Sequence, residues 1–154
     1  VPNRITLHAL RSAHGVLGQS LLQYFGFAKP YTAGTLREDR LMAVLEREST
    51  EERASLADLT ILIEQLGGAP DAIEFPMRHT ACHDVSVEYA LRRAATDQKA
   101  VAARIELLRE ELVFAREADT LLSEVARDCE ARANRLILAV APPKPTALPT
   151  GTAS

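Results

Sequence analysis

A chain of 154 residues, 47% hydrophobic and 25% charged, fits one globular domain large enough to bury a core without disulfide staples. A formal net charge of −3 with no basic block of five or six residues gives no sign of phosphate-backbone binding as a main activity. Aromatics are only 5% and Trp is absent, so Leu, Ile, Val and Ala must fill the core, a palette that favours helix packing over a sheet sandwich.

Two cysteines, Cys82 and Cys129, are too few for a disulfide framework and point to a reducing compartment. The apolar runs are too short to span a membrane, and Val1-Pro2-Asn3-Arg4 lacks a secretory signal's apolar stretch. A soluble, cytoplasmic protein is expected.

Between residues 6 and 27, Leu7, Leu10, Leu17, Leu21, Tyr24 and Ala28 recur every three or four positions, which predicts a first helix ending at Gly26 and Pro30. A second helix is predicted over residues 35–66, with its seam at Leu41, Leu45, Leu59, Leu62 and Leu66. Thr35 with Glu38 forms a capping-box pattern at its start, and Gly67-Gly68-Ala69-Pro70 stops it. Residues 67–83 read as a long crossover between parallel neighbours. Residues 84–141 contain neither Gly nor Pro and would make one helix about 85 Å long. That is roughly twice the earlier helices, so a break is placed near residues 114–119. The third helix then carries Val87, Ala90, Ala94, Val101, Ile105, Leu108 and Leu112 inward, and the fourth Leu122, Val125, Leu136 and Val140. Residues 1–141 are thus read as an all-α, antiparallel four-helix bundle, and the Pro- and Thr-rich residues 142–154 as a disordered tail.

Polar residues interrupt every seam near mid-length. The second helix turns Glu48, Glu52 and Ser55 inward between Leu45 and Leu59. The fourth inserts Cys129 and Arg132 between Val125 and Leu136. His14 sits between Leu10 and Leu17, and Thr96, Asp97 and Gln98 lie at the middle of the third. A buried carboxylate must be neutralised by a metal, a cation or a proton, and mid-bundle is where helical proteins build metal centres.

Gln23-Tyr24-Phe25 late in the first helix, the ending Leu66-Gly67-Gly68-Ala69-Pro70, the long crossover and Val125-Ala126-Arg127-Asp128-Cys129-Glu130 together resemble the ferritin-like superfamily, bacterioferritins most closely. The resemblance covers residues 5–140 and implies a di-iron centre with one Glu from each of two helices and a Glu-x-x-His from each of the others. Carried over by position, the first-helix Glu falls at Leu17, the second-helix pair at Glu52 and Ser55, the third-helix Glu at Thr96 or Asp97, and the fourth-helix pair at Cys129 and Arg132. The haem-binding Met falls at Arg53. Glu52 and Asp97 are the remnant metal positions, both histidines are gone, and neither ferroxidase activity nor a cofactor is expected. Arg132 at a former ligand position could set a guanidinium against Glu52 or Glu48, as a permanent substitute for the metal.

Glu48, Glu52, Arg132 and His14 are therefore expected to form a structural polar core. Competing readings put Glu48 and Glu52 on a solvated face, or make His14 a surviving ligand or an exposed phosphoryl acceptor. His79, Cys82 and His83 supply ligand types for zinc or copper but no fourth donor. No glycine-rich phosphate loop, Ser-His-Asp order or CxxC pair occurs. The expected role is non-catalytic: a homo-oligomeric protein of structural, assembly or partner-binding function, without nucleic-acid or membrane partners. The alternative is an iron-binding or iron-storage protein with an altered centre built from Glu48, Glu52, Asp97 and His14.

Overall fold

A computed structural model describes residues 2–142 and Gly151, and these residues are all-helical apart from their connections. The expected tail, residues 142–154, lies outside them except for Pro142 and Gly151. None of the described helices is long and apolar enough to cross a membrane.

The expected first helix is two. α1 spans Pro2–Gly18 and α2 spans Leu21–Phe27. Ser20 breaks the run: its backbone is extended (φ −60°, ψ 152°) and its hydroxyl accepts the Gln23 N–H, capping α2. The Leu21 N–H leaves the helix ladder for Asp97 Oδ2 at 2.7 Å. A Cβ at Gly18 would overlap Ile73 of the crossover, so glycine there lets that segment pack against the break. Period alone could not show this interruption, because the apolar positions keep helical phase across it.

α3 runs Leu36–Gln65 from the reciprocal cap of Thr35 and Glu38. It ends in a Schellman turn, with Gly68 N–H on Ile63 O at 3.0 Å and Gly67 N–H on Glu64 O at 2.9 Å. Gly67 takes φ +83°, which a side chain would resist. The crossover contains a 3-10 turn, Met77–Cys82. One parallel bridge ties Tyr31 to Ser86, just before α4 (Val87–Arg109).

α5 is Arg116–Val140, so the turn between the last two helices begins at Glu110, earlier than the expected 114–119. Three successive i→i+3 bonds, from the Glu110, Glu111 and Leu112 N–H groups, wind α4 down. Leu112 is buried beneath the turn. Arg109 clasps it by pairing with Asp119 at 2.9 Å and Glu106 at 2.8 Å.

Cross-helix bonds give the directions. Against α3, partners descend as α1 and α2 ascend: Arg11 of α1 reaches Ala69 just past the end of α3, Ser20 reaches Glu52, Gln23 reaches Ser49 and Lys29 reaches Glu46, so these elements are antiparallel. Arg37 pairs with Glu88 and Glu52 bonds Gln98, so α3 and α4 are parallel. Arg92 meets Val140, Gln98 meets Arg132 and Arg109 meets Asp119, so α4 and α5 are antiparallel. A parallel pair needs its chain returned along the full length of a helix, which is what residues 66–86 do.

Candidate functional site: a charged layer between two apolar cores

The buried apolar residues form two clusters rather than one. Leu10, Leu17, Leu59, Ile63, Ile105 and Leu122 belong to the first. Leu22, Phe25, Leu45, Leu91 and Leu136 belong to the second. On α3, α4 and α5 the residues between the clusters are polar and nearly inaccessible: Glu48 and Glu52 at 0% exposure, Gln98 at 0%, Arg132 at 2%. Ser20, at the α1–α2 break, closes the same layer.

Glu52 sits at its centre. One carboxylate oxygen accepts from the Ser20 hydroxyl and from Gln23 Nε2 at 3.0 Å; the other accepts from Gln98 Nε2. Arg132 Nη1 stands 3.9 Å from Glu52 Oε2 and donates to Gln98 Oε1 at 3.1 Å. Gln98 thus relays between acid and base, donating through its nitrogen and accepting through its oxygen. Arg132 Nε lies 3.8 Å from Glu48 Oε2 and has no hydrogen-bond partner among the described residues. Glu48 is held more tightly from the flank, where Arg135 grips it with two bonds of 2.8 Å and Arg47 adds one of 3.3 Å.

The two carboxylates are therefore shifted in opposite directions from their ordinary value. Burial pushes Glu52 up from its ordinary value, and the Ser20, Arg132, Gln98 and Gln23 interactions do not fully offset it. Burial pushes Glu48 up too, but the bonds and charges of Arg135 and Arg47 outweigh it and leave Glu48 lowered. Burial raises the Cys129 thiol to about 12, so at neutral pH it is a small apolar side chain, 3.7 Å from Arg132 Nη1, and not a nucleophile.

A pH test follows. A raised folded-state pKa at Glu52 stabilises the fold below 4.5 and loses that contribution as pH climbs through the folded value. A lowered one at Glu48 contributes above 4.5 and is lost as pH falls through its own folded value. His14, lowered first by burial against the opposing charge of Asp71, is lost as pH falls from 6.5 and so masks part of the Glu52 limb in the wild type. The comparison with Glu52→Gln isolates it: the wild type minus variant difference in urea midpoint should shrink as pH climbs above 4.5 and level off once the buried carboxyl has ionised. A constant difference would mean that Glu52 does not titrate in the folded protein.

The other sequence-derived candidates lie apart. Asp97 is bound to the Leu21 N–H, and it is Gln98, four residues after Ala94 and three before Val101, that faces inward. His14 is buried at 6% exposure with Nδ1 unbonded, and among the described residues no hydrogen bond or ion pair joins it to Glu48, Glu52 or Arg132. Its burial removes the accessibility a phosphoryl acceptor needs, and Glu48 and Glu52 are not on a solvated face. His79 is buried with Nε2 2.7 Å from Gln19 O, whereas His83 is exposed beside Asp84. Among the described residues no group of three His, Cys, Asp or Glu side chains is disposed to hold a metal ion. Arg135 and Ser20 went unread in the sequence: Arg135 reaches in from off the seam, and Ser20 acquires its role only through the break.

The donor set does not fit a di-iron centre. Glu48 and Glu52 come from one helix, imidazole is missing, and a guanidinium stands 3.8–3.9 Å from both carboxylates. No family model, curated protein or solved structure matches this chain.

Proposed function

We propose that this chain is a ferritin-like, antiparallel four-helix bundle whose metal centre has given way to a buried arginine–carboxylate network, and that it serves as a non-catalytic, homo-oligomeric assembly or partner-binding protein. The observation that carries this reading is the guanidinium of Arg132 between Glu48 and Glu52, at the level where such bundles hold their metals. Arginine keeps its charge at any working pH, so it balances the buried carboxylates without an ion. The helix directions support the bundle: α1 and α2 antiparallel to α3, α3 parallel to α4, α4 antiparallel to α5. Two free buried cysteines fit a reducing cytoplasm. Phe27 and Leu36, 81% and 67% exposed, are apolar area that self-association would cover.

Elemental analysis of protein purified without chelators or affinity metals, with mass by light scattering on the same sample, tests both halves. We expect no stoichiometric transition metal and a mass of at least two chains. Iron retained by the wild type and released in Glu52→Ala would support the iron-binding alternative instead. A strictly monomeric mass would overturn self-assembly.

A further inference from the structure

We propose that the cavity between the crossover and α4 binds a small oxyanion, gripped by the guanidinium groups of Arg78 and Arg93. The cavity has a volume of about 210 Å³ and is walled by the 3-10 turn on one side and by the outer face of α4 on the other. Arg78 of the 3-10 turn and Arg93 of α4 both line it, both are exposed, and neither makes a hydrogen bond or ion pair with any other described residue. Unpaired surface arginines are ordinary on their own. These two differ in sharing one concavity whose walls are held by partly buried hydrogen bonds.

On the crossover side, His79 bonds Gln19 O at 2.7 Å and Cys82 is buried in the second apolar cluster, so the turn bearing Arg78 is anchored at both faces. On the helix side, Asp97 is fastened to the Leu21 N–H at 2.7 Å, one turn beyond Arg93. Two planar forks on fixed backbones match the oxygens of a carboxylate or phosphate, with little ordering left to do except in the arginine stems. Asp97 also lines the cavity and opposes an anion, but one of its oxygens is committed to the backbone and two guanidiniums leave a net positive site. The volume lies below the roughly 300 Å³ of pockets that take drug-sized ligands, so the fit is a free phosphate or short dicarboxylate rather than a nucleotide.

This inference does not rest on the assembly reading, and its test uses different residues. Calorimetric titration of the full chain at low ionic strength, with inorganic phosphate in one arm and succinate in the other, identifies the source of the oxyanion. We expect saturable binding in at least one arm, about tenfold weaker or worse in Arg78→Gln/Arg93→Gln. Arg104→Gln, exposed further along α4, should bind like the wild type. Both substituted arginines are exposed and without a partner among the described residues, so the double variant should keep its unfolding midpoint without ligand. Absence of saturable heat in both arms would overturn the proposal, as would equal weakening in Arg104→Gln, which marks diffuse charge attraction.

Discussion

Arg132→Met is expected to lower stability by about 3–5 kcal/mol at neutral pH, because it leaves the fully buried Glu52 without the one cation paired with it among the described residues. Glu48 survives the change, since Arg135 and Arg47 still hold it. Arg135→Met should cost far less, about 1 kcal/mol, because that side chain is 42% exposed and Arg132 remains behind it. The Arg132 deficit should also shrink on acidification, as a protonated Glu52 needs no counter-charge. In the double variant Glu52→Gln/Arg132→Met most of the loss should return, giving a strongly non-additive cycle. Urea unfolding of the four proteins at pH 5 and pH 7.5 measures every term. Additive effects within about 0.5 kcal/mol would show that Arg132 and Glu52 do not act as a unit.

Cys129→Glu/Arg132→His is expected to convert the layer into a metal site. Residues 129 and 132 are three apart on one face of α5, both side chains are buried, and Arg132 bonds Gln98 and stands 3.9 Å from Glu52. The substitutions remove the guanidinium and add a carboxylate and an imidazole beside Glu48 and Glu52, a mixture of oxygen and nitrogen donors suited to iron, cobalt or zinc. About one metal per chain should be retained through gel filtration, with a rise in unfolding temperature on adding cobalt(II), since a ligand that binds only the folded state stabilises it. The wild type should not respond. A helical, cooperatively unfolding variant that retains no metal would remove the idea that Arg132 stands in for an ion. Glu48 remains claimed by Arg135, so adding Arg135→Ala should tighten the site.

The charged layer also fixes how the helices align. Sliding α5 by one turn, about 5.4 Å, would carry Arg132 into one apolar cluster and leave Glu52 unpaired. Leu-on-Leu contacts on either side tolerate such slips far better than a buried ion pair does.

The helices, their inward rows and the polar interruption of those rows were legible in the sequence. Leu41, Leu45, Leu59 and Leu62 are buried, and so are Glu48 and Glu52 between them, because a 3.6-residue period dictates which side chains share a face. Thr35 with Glu38 and the Gly67-Gly68 stop were readable for a similar reason: caps are satisfied by neighbours a few residues away. The break at Ser20 was not, since it depends on Asp97, 76 residues further on, taking the Leu21 N–H. Nor was the inward turn of Gln98 rather than Asp97, a single step of about 100° that positional matching to a resembling sequence cannot resolve. Local spacing determined that charge would be buried at mid-length. Only tertiary packing decided which cation meets which carboxylate, because Arg132 and Arg135 lie on a helix more than 80 residues from Glu48 and reach it through space rather than along the chain.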